Sequence, residues 1–298
     1  MARAAGARGP VELPLRPGHT GANENTRACV HPRGRHMDEA GHSIKSDAIG
    51  ARPADLKTPR ARLGIIIPSS NRLSEPQLQH FAPDGLAVHV TRLRMTGPWH
   101  KPISALHDEI RAAAGALADS KCDVICFHCT GGAMEEGPEV EARVIELIAE
   151  ETGATALATG TAIVQALRAL AIRSLVLLTP YRPAVNEAER AYLGRLGFEV
   201  VHDIGLNLKG GDEYIHVPPE RWLDMARDSI AAHPAADGIF LSCTNTTQIE
   251  AIPAIERATG KPCVNSNQAV LWAVTRALAP KLGSWPREGR LGRLFGNA

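Results

Sequence analysis

Asp123-Val124-Ile125-Cys126-Phe127-His128-Cys129-Thr130 has a partner 114 residues further on, Asp237-Gly238-Ile239-Phe240-Leu241-Ser242-Cys243-Thr244. Each run opens on an aspartate, continues through apolar residues and ends on Cys-Thr. Such a short apolar run reads as a strand buried on both faces, as in a parallel sheet, with the thiol at its carboxyl end. The match extends on either side. Upstream, Leu63-Gly64-Ile65-Ile66-Ile67 before Pro68-Ser69-Ser70-Asn71 answers Leu175-Val176-Leu177-Leu178-Thr179 before Pro180-Tyr181-Arg182. With the two prolines 112 apart, Glu75 falls on Glu187, and Gly85-Leu86-Ala87-Val88 on Gly197-Phe198-Glu199-Val200. Downstream, Gly153-Ala154-Thr155-Ala156-Leu157 corresponds to Gly260-Lys261-Pro262-Cys263-Val264, and the helices near Thr161 and Gln268 follow. Four matches in the same order make an internal repeat of about 110 residues, which is a domain duplication rather than a solenoid.

Short apolar strands alternating with helical stretches predict parallel sheets joined by right-handed crossovers. Strands are expected near 63–67, 86–92, 123–128 and 154–158, then near 174–179, 198–204, 237–242 and 262–265. The predicted fold is α/β, with two pseudo-symmetric flavodoxin-like domains, each holding a four-stranded parallel sheet, and an active site in the inter-domain cleft. The expected halves are 63–172, carrying Cys129, and 173–283, carrying Cys243. Residues 284–298 have no counterpart in the repeat and read as a loose tail.

The chain has 298 residues and a formal charge of +1. Residues 1–60 hold ten Lys/Arg against six Asp/Glu, a net of +4, which leaves −3 for the rest. Rich in Gly, Pro, Arg and His and without apolar periodicity, residues 1–62 are expected to be a disordered basic extension. The overall balance gives no support for nucleic acid or membrane as partner. No apolar run approaches the length of a membrane span, and no secretory segment is evident, so a cytoplasmic location is expected. Six cysteines in so long a chain do not form a disulfide scaffold.

Ligands of open α/β sheets bind beyond the carboxyl ends of the strands. Cys129 and Cys243 lie there, each followed by Thr and a turn into a helix. Backbone N–H groups and the partial charge of a helix N-terminus favour a thiolate. Repeat symmetry sets the two thiols on opposite sides of one cleft, where one could serve as base or nucleophile and the other as acid. Cys122, Cys126 and Cys263 lie before or within strands and read as packing residues, and Cys29 as incidental. Cys126-Phe127-His128-Cys129 also spells CxxC, which raises redox and zinc readings, but no second ligand pair accompanies it. Ser70, Asn71 and Tyr181 in the loops after the first strand of each half could hold a carboxylate; the helix-capping alternative applies to Ser70 and Asn71. Thr130-Gly131-Gly132 could form an anion nest or only a tight turn.

The segments Pro68-Ser69-Ser70-Asn71, Cys129-Thr130-Gly131-Gly132, Thr179-Pro180-Tyr181, Leu241-Ser242-Cys243-Thr244-Asn245 and Ser266-Asn267-Gln268-Ala269 resemble the maleate isomerase and arylmalonate decarboxylase branch of the aspartate/glutamate racemase superfamily. The resemblance covers about 63–283 and implies the same fold, with no metal and no organic cofactor. It implies that Cys129 is nucleophile or base and Cys243 the acid. Asn71 and Tyr181, with backbone N–H groups of Thr130, Gly131 and Thr244, would bind a substrate carboxylate. Decarboxylases of the branch usually lack the first cysteine, so Cys129 favours isomerase or racemase chemistry. One departure stands out. Maleate isomerases tend to carry Asn in the loop that here reads Gly211-Asp212-Glu213-Tyr214, and Glu213 would repel a dianion unless turned away or protonated. The expected function is a cofactor-independent two-cysteine isomerase of a small carboxylate or dicarboxylate, maleate isomerase-like. An amino-acid or hydantoin racemase, an arylmalonate-type decarboxylase and a non-catalytic carboxylate-binding protein are the alternatives. A homo-oligomer is compatible with all of them.

Overall fold

The computed structural model describes residues 59–97, 100–283 and 289–296. The basic extension therefore lies almost wholly outside the described residues. Eight strands form two sheets. β1 (Ala61–Pro68), β2 (Leu86–Leu93), β3 (Val124–Phe127) and β4 (Thr155–Ala158) make one, in the order β2-β1-β3-β4. β5 (Ser174–Thr179), β6 (Glu199–Gly205), β7 (Gly238–Leu241) and β8 (Cys263–Asn265) make the other, in the equivalent order β6-β5-β7-β8. Every pairing is parallel. All eight expected strands are present, within a few residues of their expected ends. Both sheets belong to one compact unit, Lys57–Ala298.

The repeated aspartates have a structural duty. Asp123 Oδ2 accepts the Arg62 backbone N–H at 2.8 Å, and Asp237 Oδ2 accepts those of Arg173 and Ser174 at 3.1 and 2.9 Å. In each half the central pair of strands is thus pinned at its amino end, which fixes the register that delivers the cysteine to the other end.

The helices, in chain order, are α1 (Ser74–Phe81), α2 (His107–Asp119), α3 (Thr130–Glu136), α4 (Pro138–Thr152), α5 (Thr159–Ala169), α6 (Pro183–Arg195), α7 (Gly211–Tyr214), α8 (Pro219–Ala232), α9 (Gln248–Thr259), α10 (Ser266–Ala277), α11 (Ala279–Leu282) and α12 (Arg293–Gly296). α5 and α10, which follow β4 and β8, pack against each other and carry a core that runs from one sheet to the other. Strand alternation sorts the residues of β1. Ile65 and Ile67 enter that shared core, whereas Ile66 joins Ile125 and Phe127 in a second core that includes residues of α2 and α4. Complete burial of each such side chain contributes about 1.5–3 kcal/mol.

The C-terminus differs from the expected loose tail. Leu291, Leu294 and Phe295 are buried, Gln268 Nε2 donates to the Leu291 carbonyl at 2.6 Å, and the Arg293 N–H donates to Glu256 Oε2 at 2.9 Å. Lacking a repeat counterpart, this segment gave no pattern to read; its three apolar side chains nonetheless dock on the second half.

Candidate active site

The carboxyl ends of β1, β3, β5, β7 and β8 all contribute to one site. β3 ends at Phe127, and Cys129 follows with extended backbone (φ −148°, ψ 121°) as the residue that starts α3. The backbone N–H groups of Gly132 and Ala133 act on its Sγ in favour of the thiolate. A side chain at Gly132 would make ordinary contacts, 3.4 Å from that sulfur and 3.6 Å from Met95 and Ile103, which places this turn of α3 against the thiol. Burial pushes the Cys129 thiol up to about 11, against the lowering by the two N–H groups. The expected helix-terminus effect is present and is outweighed by desolvation.

Cys243 is held differently. It has φ +135°, a region few non-glycine residues adopt, and such backbone costs about 1–3 kcal/mol. Three contacts surround it: the Asn245 N–H donates to Sγ at 3.3 Å, the Tyr181 hydroxyl reaches Sγ, and its own N–H donates to Ser266 Oγ at 3.2 Å. Burial again dominates and pushes the thiol up to about 12. Ser266, at the start of α10, also accepts the Thr130 hydroxyl at 2.9 Å, which ties the loop after β3 to the loop after β7. The charge of Cys129 acts on Cys243 and raises it further.

Asn71 and Tyr181 come to this place from opposite halves. Asn71 is buried; its Nδ2 donates to Ser74 Oγ at 2.9 Å and Thr244 Oγ1 at 3.1 Å, while Oδ1 accepts the Leu73 and Ser74 N–H groups at 3.1 and 2.9 Å. Asn71 thus closes a local turn just ahead of α1, whose start at Leu73 has no side-chain cap, and this coexists with a contact across the halves. Tyr181 is buried, and its ring lies beside Gly131 and meets Tyr214 edge-on at 5.7 Å. Thr130 and Thr244 are also buried. Thr130-Gly131-Gly132 forms the first turn of α3, not a separate nest. Ser70 stays at the surface and shares a hydrogen bond with Thr96 at 2.7 Å. Glu213 turns back on its own loop, where Oε2 accepts the Lys209 N–H at 2.8 Å.

Residues that sequence reasoning passed over connect these pieces. His128, fully buried, places Nε2 2.8 Å from Asn267 Oδ1 and Nδ1 2.9 Å from Thr159 Oγ1. Asn267 Nδ2 donates to Gln77 Oε1 at 2.5 Å and to the Thr244 carbonyl at 3.1 Å. Because Oδ1 of Asn267 can only accept, Nε2 of His128 carries the proton, and burial pushes the ring down to about 4. His128 is thus a neutral link between halves. Asn265 and Gln268 form a reciprocal capping box that orients Ser266 and Asn267 at the head of α10. The Asn-x-x-Gln spacing was the available signal. Cys126, the other half of the CxxC, faces the shared core while Cys129 faces the second one. Among the described residues all five cysteines are free, and no group of three or more His, Cys, Asp or Glu is placed to hold a metal.

Two parallel α/β sheets, each with a buried cysteine just beyond its third strand and the two cysteine loops tied through Thr130 and Ser266, define a class of duplicated α/β protein with paired strand-end thiols. The sequence profile described as arylmalonate decarboxylase matches residues 63–292, and the chain belongs to that family. The chain is 29% identical over 242 residues to a maleate isomerase of Nocardia farcinica, covering 77% of this chain and 94% of that one. It is 27% identical over 229 residues to the arylmalonate decarboxylase of Bordetella bronchiseptica, covering 77% and 95%. Its fold is similar, with a TM-score of 0.68 and 25% identity over 79% of this chain and 98% of the other, to a cysteine-to-serine variant of the N. farcinica maleate cis-trans isomerase with a covalently bound succinylcysteine intermediate.

Proposed function

We propose that this chain is a cysteine-based isomerase of a small carboxylate, acting on a maleate-like cis alkene. The observation that carries the reading is the pair of buried thiols at equivalent strand ends, joined through Thr130 and Ser266. The succinylcysteine adduct of the Nocardia relative supports it. In this reaction the Cys129 thiolate forms a C–S bond to one alkene carbon. The π electrons shift to the neighbouring carbon, which takes the proton of the Cys243 thiol. Rotation about the resulting single bond follows. The Cys243 thiolate then removes the other hydrogen of that carbon as a proton, the double bond re-forms in the trans geometry, and the C–S bond breaks. Asn71, Tyr181 and the N–H groups of Thr130, Gly131 and Thr244 are the proposed carboxylate ligands. For Asn71 this means exchanging its Thr244 contact for the substrate. Glu213, folded back on Lys209, leaves the pocket to the substrate.

The presence of Cys129 favours isomerisation over decarboxylation, because the thiol adds to one face while Cys243 protonates from the other. A cytoplasmic site of action suits the five free thiols among the described residues; no helix there is long and apolar enough to cross a membrane. The test is to assay the protein and its Cys129→Ser and Cys243→Ser variants with maleate, arylmalonate, aspartate and hydantoin substrates, with mass analysis of the protein. Conversion of maleate to fumarate with a substrate adduct on Cys129 is expected. Full activity in both single variants would overturn every two-thiol mechanism.

A further inference from the structure

Next to the two thiols lies a carboxyl group that the reaction above leaves unused. Glu189, on α6, is fully buried. Its Oε1 accepts the Ser242 hydroxyl at 2.8 Å, and Ser242 is the residue immediately before Cys243. Its Oε2 is buried and has no hydrogen-bond partner among the described residues. The charge of Glu189 acts on Cys129, on Cys243 and on the Tyr181 hydroxyl. A carboxylate buried with one bare oxygen is costly, and a second negative charge beside it costs more.

We propose that a carboxylate on Glu189 opposes a thiolate on Cys129 or Cys243, so that Glu189 is a positioning residue that raises the pH at which a thiolate forms in the pocket. When Glu189 is the carboxylate, a thiol ionises most readily as Glu189 takes up a proton. Cys–SH plus Glu–COO⁻ becomes Cys–S⁻ plus Glu–COOH, with the net charge unchanged. When Glu189 is already the acid, the first thiol to ionise meets no opposing charge from it. The use of this device in turnover rests on the two-thiol reaction proposed above, whereas the charge linkage can be measured without substrate.

The charged and titratable groups around Glu189 fit this assignment. From α3, Glu135 acts on Glu189 and pushes it in the same direction as burial does, while Glu136 is occupied by the Ile103 and Ser104 N–H groups. From β6, Asp203 is paired with Arg190 and Asn186, and His202 stacks on His233. On α6 itself, Glu187 is exposed, Arg195 reaches Glu139, and the Tyr192 hydroxyl donates to Glu141. From β7, Ser242 supplies the one contact that favours the carboxylate. Burial prevails and pushes Glu189 up to about 8.

Glu189→Gln keeps the shape and removes the charge. Alkylation of Cys129 and Cys243 by iodoacetamide, followed against pH with the site assigned by mass spectrometry, reads the thiolate directly. The variant is expected to lower the alkylation midpoint by about one pH unit and to raise the rate below it about tenfold. An unmoved or raised midpoint overturns the proposal. Ser242→Ala, which removes the hydrogen bond to Oε1, is expected to shift the midpoint the same way by less; a shift upward counts against it. Infrared titration of the wild-type protein stands even where Glu189→Gln does not fold. A carboxylic-acid carbonyl band is expected at neutral pH, fading through about pH 8 and moving to higher pH in Ser242→Ala. Absence of that band at neutral pH overturns the assignment. Because neither readout uses substrate, failure here is distinct from failure of the isomerase reading, which the single-cysteine variants test.

Discussion

The loops after β3 and β7 begin with the same Cys-Thr and then part. After Cys129, α3 starts at once, and the N–H groups of its first turn act on the sulfur in favour of the thiolate. After Cys243 comes Asn245-Thr246-Thr247, the chain stays non-helical until α9 begins at Gln248, and the cysteine itself sits at positive φ with the Tyr181 hydroxyl on its sulfur. The coverings differ in the same sense. From the first half, Met95 and Ile103 lie against Gly132 and share a buried cluster with Cys129; from the second, Tyr214 lies against Tyr181 and feels the Cys243 charge. Equivalent positions have thus diverged into a more apolar surrounding at Cys129, the proposed nucleophile, and a more polar one at Cys243, the proposed acid. Duplication set the positions of the thiols, and the loops set their characters.

The largest effect that can break this comparison is loss of either thiol. Cys129→Ser and Cys243→Ser are each expected to lower kcat by a factor of about 10² or more, the usual range for a positioned acid or base. The two should fail differently. In Cys243→Ser the adduct on Cys129 can still form and is expected to accumulate; in Cys129→Ser no adduct is expected. Equal adduct levels in the two variants would show that the division of labour is wrong.

The residue before each cysteine offers a second contrast, in opposite pH directions. His128, with its ordinary value of 6.5 pushed down to about 4 by burial, resists protonation in the folded state. Its stabilising contribution is full above pH 6.5 and is lost as pH falls towards 4. Ser242 instead holds Glu189, whose ordinary value of 4.5 is raised by burial to about 8. That contribution is full below pH 4.5 and is lost as pH rises towards 8. Each is worth about 3–5 kcal/mol across its window. The opposing slopes offset each other between pH 4.5 and 6.5. Urea unfolding against pH should show that plateau and a fall above it, and Glu189→Gln should replace the plateau by a rise with pH. An unchanged profile in the variant would remove Glu189 from the pH response.

Much of this was legible in the sequence, for a physical reason. Buried parallel strands need unbroken apolar runs, so β1, β3, β5 and β7 announce themselves, and the repeat orders them. Cys129, Cys243 and Tyr181 follow because strand ends are the place where such sheets bind ligands. The network of His128, Asn267, Gln77 and Glu189 was not legible. Each of those residues looks like an ordinary polar side chain in its own segment and gains its role only when a partner about 50 to 190 residues away arrives. Desolvation was equally invisible: a helix start beside Cys129 suggests an acidic thiol, and only the folded pocket shows that burial reverses the shift.

Backbone strain gives a smaller and sharper test. Only Cys243 has a conformation that glycine would relieve, since Cys129 is ordinary extended chain. Replacing either by glycine removes a buried side chain and adds about 0.5–1 kcal/mol of chain entropy. Cys243→Gly is therefore expected to be about 1–2 kcal/mol less destabilising than Cys129→Gly, the difference being the recovered strain. Denaturant midpoints measure it, and equal losses would mean that Cys243 stores no strain.

The smallest expected effect concerns the covering of the second half. Arg72, after β1, forms an ion pair with Asp212 of α7, and the Arg72 N–H donates to Asn245 Oδ1 at 2.8 Å. The two charged side chains are 52% and 83% exposed, so the pair contributes little to stability. Its place matters more than its strength, because it links the first half to the segment that carries Tyr214. Arg72→Ala should leave the unfolding midpoint within about 0.5 kcal/mol of wild type. If the pair helps to hold that segment over bound substrate, KM should rise, by no more than about fivefold, with kcat unchanged, since an exposed pair supplies at most about 1 kcal/mol. Added salt should reproduce the rise in wild type and not in the variant, because screening acts on the charge pair and leaves the Arg72 backbone contact to Asn245 intact. A fall in kcat instead would move Arg72 from the covering into the reacting side of the pocket.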